Sequence, residues 1–398
     1  MTDRRIPIAR PWLGEAEAEA ARRVILSGWL TQGAEVAAFE TEFAHMVGAE
    51  NACAVSSCTT ALHLALRAVG VADGNEVVTA SHSFIATANA IRYCGAIPVF
   101  ADIENDSPNL DPESVEACIG PRTKAILCVH QMGMPCDLAA LVDIAARHNL
   151  PLIEDAACAT GTEISFRGGE FEAIGSPRGD IACFSFHPRK VLTTGDGGMI
   201  TTHHDNIDAQ LKRDRQHGMS IPDLTRHKSA SVVDEQYDAL GYNYRMTDVQ
   251  AAIGRVQLTR LPEMLARRRM LASRYIDLLR DLPVATPGTP AWAKPNWQSF
   301  WITLPDDIDR RALMQHLLEA GVATRRGIMC AHREPAYETE PWRSGPTGLR
   351  ASERAQDRNL LLPLFHAMTE DDQDYVVGSL AEALPASHSS GAMREATA

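Results

Sequence analysis

The stretch CFSFHPRKVLTTGDGGMITT, residues 183–202, places an amine where it could do covalent chemistry. An apolar run, Ile181 to Phe186, leads through Pro188 to Lys190, then to a loop of threonines and glycines. A strand end aims a lysine, and close packing desolvates its amine. The lowered pKa lets it attack a carbonyl and hold a ligand as a Schiff base. Gly195, Gly197 and Gly198 let backbone come close to a bulky ligand. A lysine in a glycine-rich turn is ordinarily a surface cation. Here only five lysines (124, 190, 212, 228 and 294) occur among 38 basic residues, so Lys190 is not one of a crowd.

Asp155 ends the apolar run of LPLIEDAACA. A carboxylate at a strand's carboxyl end can meet the ring nitrogen of pyridoxal phosphate and keep it protonated, so that the ring accepts electrons. It could equally cap a helix. Glu154 points to the opposite face by alternation and is the weaker candidate. Ser57, Cys58, Thr59 and Thr60 follow the first apolar run and open a helix, where N–H groups and hydroxyls can cradle a phosphate. Plain capping is the commoner use of such residues. Ser185 could add a hydroxyl. Phe84 could stack on a planar ring, although a phenylalanine at a helix start is more often core.

The elements that must position these groups alternate. Strands are expected at Ala52–Ser56, Glu76–Thr79, Ile97–Ala101, Ala125–Val129, Leu152–Glu154, Ile181–Phe186 and Met199–Thr202. Helices are expected at Thr59–Val69, Phe84–Tyr93, Asp111–Ile119 and Leu138–His148. Buried-type strands separated by helices imply an α/β fold with a mainly parallel sheet covered on both faces. Ligands then sit at the carboxyl ends of the strands. A long helical stretch, Arg245 to about Asp281, is expected to break near Pro262. The segment Asp281–Trp297 reads as a connector. A smaller α+β unit follows, with strand Phe300–Leu304 and helices Arg310–Ala320 and Gln373–Ala383. The domains are read as an N-terminal arm (1–30), a large domain (31–270), a small domain (271–385) and a disordered tail (386–398).

Composition removes several function classes. A net charge of -13 disfavours nucleic-acid and anionic-membrane surfaces, and no apolar run reaches membrane-helix length. Nine scattered cysteines without a C-x-x-C pair suggest reduced thiols in a cytoplasm. No G-x-G-x-x-G follows the first strand, and no Walker or G-x-S-x-G motif occurs. His203, His204 and Asp205 lack a third ligand at a sensible spacing, so no metal is expected.

Taken in order, SGWLTQG, VSSCTTALHLAL, FIATANAI, GAIPVFADI, LPLIEDAA, the lysine segment, RQHGM, GYNYRMTDVQAAIGRVQL, VATRRGIMCAH and LPLFHAMT resemble the DegT/DnrJ/StrS family of sugar aminotransferases, a fold-type-I pyridoxal-phosphate group. The resemblance spans nearly the whole chain. It implies a large mainly parallel seven-stranded-type sheet domain and a smaller C-terminal domain. Lys190 becomes the cofactor lysine and proton shuttle. Asp155 pairs with the ring nitrogen, Phe84 stacks on the ring, and Cys58, Thr59 and Ser185 help hold the phosphate. Asn243 reaches the phosphate of a neighbouring subunit's cofactor, giving a homodimer with shared sites. Trp29, Thr31, Arg245 and His332 are substrate-facing. Position 158 is Cys where the family usually has Gln or His against the ring oxygen, and Asp196 replaces a usual Glu. The implied reaction moves an amino group from L-glutamate to a 3- or 4-keto-deoxysugar on a nucleotide. A keto-cyclitol aminotransferase and a non-catalytic regulatory protein remain alternatives.

Overall fold

The computed structural model describes residues 4–221, 226, 231–232 and 234–384. The expected tail, 386–398, lies outside them. Strands run in chain order as β1 (Asn51–Val55), β2 (Glu76–Ala80), β3 (Ile97–Ala101), β4 (Thr123–Val129), β5 (Leu152–Asp155), β6 (Glu163–Ser165), β7 (Phe171–Ala173), β8 (Ile181–Ser185), β9 (Gly198–Thr202), β10 (Ala293–Lys294), β11 (Phe300–Thr303), β12 (Arg325–Arg326), β13 (Arg343–Ser344) and β14 (Asn359–Leu362). The helices used below are α1 (Glu15–Ser27), α2 (Ala34–Val47), α3 (Cys58–Ala68), α4 (Ala86–Tyr93), α5 (Pro112–Cys118), α6 (Leu138–His148), α7 (Asp205–Asp214), α8 (Asp248–Leu278), α9 (Arg310–Glu319), α10 (Arg350–Arg358) and α11 (Glu370–Ala383).

An eight-stranded sheet in the order β1-β9-β8-β5-β4-β2-β3-β13 forms the centre. Every pair is parallel except the two made by β9, which runs against both β1 and β8. The strands are apolar along their length because helices cover both faces. The expected α/β fold is therefore observed, with one strand more than seven. The eighth, β13, comes from the C-terminal part of the chain and pairs Arg343 with Val99 and Ser344 with Phe100. Two-residue strands carry no period-two signal, which is why β10, β12 and β13 were not expected. β10 pairs with β6 inside the stretch read as a connector.

Register assigns each site residue to a face, since directly paired residues point the same way. Asp155 pairs with Cys183, Ser185 with Gly198, and Gly198 with Val55. All lie on the face whose core includes Ile153, Val55, Cys183 and the buried side of α3. Glu154 takes the other face, beside Ala182 and Phe184.

The second lobe is built on the antiparallel sheet β11-β14-β12, with α9, α11 and the end of α8 around one core. The expected break at Pro262 is corrected: α8 is a single 31-residue helix with Pro262 inside it. The proline costs only the bond to the carbonyl one turn earlier. It lies on the exposed side of the helix, while Leu261 and Met264 beside it are buried.

Candidate active site

Asp155 closes β5 and is 4% exposed. Its Oδ2 accepts from the Thr87 hydroxyl at 2.8 Å and its Oδ1 from the Ala157 N–H at 3.1 Å. Burial nevertheless pushes its carboxyl above the usual range. Glu154, one residue earlier, is also buried but fully occupied: Oε2 meets His130 Nε2 at 3.1 Å, and Oε1 takes the Arg178 and Gly179 N–H groups. The Cys136 N–H donates to His130 Nδ1, which fixes His130 as a donor toward Glu154 and spends the pair on structure. Thr87 is a site residue the sequence did not single out. It stands on the first turn of α4, 68 positions from its partner, and its hydroxyl also meets Ser83 at 2.7 Å.

Lys190 lies on the β8–β9 connection, in a turn closed by its own N–H donating to the His187 carbonyl at 2.8 Å. Its Nζ contacts Cys158 Sγ at 3.1 Å. The expectation of a lowered pKa is corrected for the polypeptide itself. Burial does pull the ammonium down, but the Cys158 sulfur in contact with it more than offsets this, with Asp155 adding less, and the amine is held above its usual value. Asp155 and Cys158 stand at and just after the end of β5 and Cys58 opens α3, so the fold gathers Lys190 with groups from two other segments of the chain.

Beside these groups stands the start of α3. Ser57 and Thr60 are consumed by a capping box: Ser57 Oγ accepts the Thr60 N–H at 3.2 Å, and Thr60 Oγ1 accepts the Ser57 N–H at 3.1 Å. The Cys58 thiol is buried, directed at the Cys183 carbonyl and pushed far above its usual pKa, so it stays neutral. Cys58 and Thr59 therefore offer first-turn N–H groups, which precede any acceptor of their own helix. The Ser185 hydroxyl lies on the same face as this turn.

Two of the loop glycines are required by the chain itself. A Cβ on Gly198 would lie 2.6 Å from the Ser57 carbonyl and 2.8 Å from the Cys58 nitrogen, and one on Gly197 would lie 2.4 Å from Thr194 Oγ1 and 2.7 Å from Met246. Gly195 has φ 87 with nothing near its missing side chain. Gly198→Ala should thus force β9 away from the α3 start, costing roughly 1–3 kcal/mol of stability. Thermal unfolding of the variant checks this; an unchanged midpoint contradicts the close approach.

Phe84 is 62% exposed, just ahead of α4. That excludes the core alternative and leaves a ring face available. Trp29, Thr31 and their neighbours curl between α1 and α2. Trp29 Nε1 donates to the Gln32 carbonyl at 3.3 Å, and Thr31 is exposed. Asp248 anchors the curl by accepting the N–H groups of Gly33, Glu35 and Val36. Asn243 and Arg245 border the end of β1, where Arg245 bridges Val55 and the Tyr244 carbonyl accepts from the Ser56 N–H at 2.8 Å. Asn243 is exposed. His332 sits at the seam between the lobes. Its Nδ1 meets Ser81 Oγ at 2.7 Å and its Nε2 meets Glu353 Oε1 at 3.1 Å, so both ring nitrogens have partners. His203 and His204 are turn residues facing Ser176 and Asp180.

Pyridoxal phosphate fits this donor set. A buried carboxylate answers its ring nitrogen, an amine its carbonyl, an exposed phenyl its ring face, and a helix start with a serine its phosphate. The sequence profile of the DegT/DnrJ/EryC1/StrS aminotransferase family matches residues 11–381. Solved structures agree. The aminotransferase TlmJ from Streptoalloteichus hindustanus is 34% identical, with 95% of this chain and 98% of that one covered at a TM-score of 0.85. DesV of S. venezuelae, solved with a ketimine intermediate, is 32% identical over 95% and 98% at 0.83. Helicobacter pylori PseC, an aminotransferase involved in pseudoaminic acid biosynthesis, is 25% identical over 96% and 99% at 0.86. The chain belongs to the DegT/DnrJ/EryC1/StrS aminotransferase family and is a pyridoxal-phosphate-dependent transaminase of fold type I.

Proposed function

We propose that the protein aminates a keto-deoxysugar, at carbon 3 or 4 and carried on a nucleotide, using L-glutamate as donor, in amino-sugar, polysaccharide or antibiotic biosynthesis. The observation that carries this is the placement of the half-buried Lys190 amine within electrostatic reach of the buried Asp155 carboxyl, which is the machinery for moving an amino group. The sugar-pathway roles printed for relatives such as PseC support the acceptor class.

When bound, the cofactor supplies a carbonyl for amines and a ring that takes up the electrons released at the substrate carbon. Lys190 Nζ takes the proton from the donor's α-carbon and returns one to the carbon of the acceptor that was a ketone. Asp155 holds the proton on the ring nitrogen. The Cys58 and Thr59 N–H groups and the Ser185 hydroxyl hold the phosphate, and Phe84 covers a ring face and excludes water. Trp29, Thr31, Arg245 and His332 border the substrate, and Cys158 adjoins the ring oxygen.

Asn243 serves the neighbouring subunit's phosphate in a homodimer. Its exposure, together with that of Phe84 and Tyr93 (58%), supports a covered face here. No helix of the described residues is long and apolar enough to cross a membrane. We place the enzyme in the cytoplasm on its reduced cysteines, all nine of which are free thiols.

Incubating the loaded protein with glutamate should bleach the absorbance of the lysine-bound cofactor, and adding a nucleotide-linked keto-sugar should restore it. Restoration by a keto-cyclitol, with every nucleotide sugar inert, overturns the reading.

A further inference from the structure

We propose that Thr87 and Ser83 form a hydroxyl relay that positions Asp155, fixing the orientation of its carboxylate and holding it charged toward the cofactor ring. The inference rests on Asp155 serving the ring nitrogen, as read above, and adds two positioning residues to that role.

The relay is a chain of two short hydrogen bonds. Ser83 Oγ meets Thr87 Oγ1 at 2.7 Å, and Thr87 Oγ1 meets Asp155 Oδ2 at 2.8 Å. All three residues are buried. An ionised carboxylate only accepts, so Thr87 must donate to Asp155. Its oxygen is then free to accept, and Ser83 donates to it. Each hydroxyl turns its positive end toward Asp155, and hydrogen bonds aligned in series strengthen one another. A threonine in the first turn of a helix ordinarily spends its hydroxyl on its own backbone. Here the hydroxyl leaves α4 for the end of β5 instead.

Two tethers do what one does not. The Ala157 N–H holds Oδ1 at 3.1 Å, and that bond alone leaves the carboxylate free to turn about it. With Thr87 on Oδ2 the plane of the group is set. Ser83 and Thr87 also flank Phe84, so their bond closes the corner that carries the Phe84 ring. One short segment thereby fixes the ring-face group and the ring-nitrogen group relative to each other.

The electrostatics agree. Burial raises the Asp155 carboxyl, and Thr87 is the foremost group opposing it, ahead of the Ala157 N–H, Lys190 and His130. The thiols of Cys58, Cys128 and Cys183 also stand within reach of it. Removing the Thr87 hydroxyl leaves all of these in place and lifts the carboxyl further. In the cofactor-free protein the folded chain then keeps its proton to higher pH. Stability is complete below the ordinary carboxylate pKa and is lost as pH rises through the raised one, so the loss at pH 7 deepens.

The test compares Thr87→Val, which keeps the shape, with Thr87→Ser, which keeps the hydroxyl. In the cofactor-loaded enzyme Thr87→Val should lower kcat about tenfold, the effect of losing one hydrogen bond to a charged group, with both KM values little changed. Thr87→Ser should recover most of that loss, and Ser83→Ala should show a smaller one. In an Asp155→Asn background the valine should cost roughly twofold or less, because no charge remains to be held. Without cofactor, the melting temperature of Thr87→Val should fall below wild type by more at pH 7 than at pH 3, a difference absent in the asparagine background. An equal kcat loss in both backgrounds, or an equal thermal deficit at both pH values, makes Thr87 an ordinary packing residue and overturns the relay. If Asp155→Asn is costly while Thr87→Val is silent, the relay fails and the Asp155 assignment stands. If Asp155→Asn is itself silent, both fall.

Discussion

Lys190→Ala is expected to lower kcat/KM by at least about 10⁴-fold, because one side chain supplies both the covalent anchor and the proton transfer. The loss should fall on kcat, since Lys190 acts on bonds that change in the transition state. The check is direct. Borohydride reduction of the wild type followed by peptide mapping should place the pyridoxyl group on Lys190 alone, and the alanine variant should carry none. Any other labelled residue removes the assignment. Adding a small primary amine should return part of the activity to the variant, which a protein that had merely misfolded would not show.

Asp155→Asn is expected to cost roughly 10²–10³-fold in kcat, the usual effect of deleting one preorganised group that stabilises developing charge. The amide keeps the shape and can still accept from Thr87, but it cannot hold a ring proton by charge. Its effect on stability should have the opposite sign. Burial raises the Asp155 carboxyl above its usual range, so the folded polypeptide holds a proton there that the unfolded chain has already released. Stability of the cofactor-free protein is then lost as pH rises from the ordinary carboxylate pKa through the raised one, and the loss persists at neutral pH. Asp155→Asn removes that loss. A cofactor-free variant melting higher than the wild type at pH 7, but no higher at pH 3, is the expected pattern; equal melting at both would show that Thr87 and Ala157 already compensate for burial.

Much of the fold was legible because the strands β1 to β5 are short apolar runs separated by helices, of which α3, α5 and α6 carry side-chain N-caps. Ile97–Ala101 and Leu138–His148 match their expected limits. Asp155 and Glu154 could be told apart from alternation alone, and the sheet register puts them on opposite faces. What stayed hidden was contact between distant segments. Nothing local says that Thr87 would reach Asp155 or that Cys158 would touch Lys190, 32 positions away. Ser57 and Thr60 show a second difficulty: the residue types that cradle phosphate are also those that cap helices, and here these two cap. The third concerns Lys190, where desolvation was foreseeable but the acidic neighbours that outweigh it were not.

The β3–β13 pairing bears on how substrate gets in. The Asp102 carboxylate strengthens the same seam by accepting the Ala351 N–H at 3.0 Å and the Ser352 N–H at 2.8 Å. His332 on Ser81 adds a third tie. Swinging the two halves apart, as a hinged jaw would, has to break all of these bonds together. Entry and exit are left to side-chain and loop movements at the cleft mouth, within a frame that stays shut.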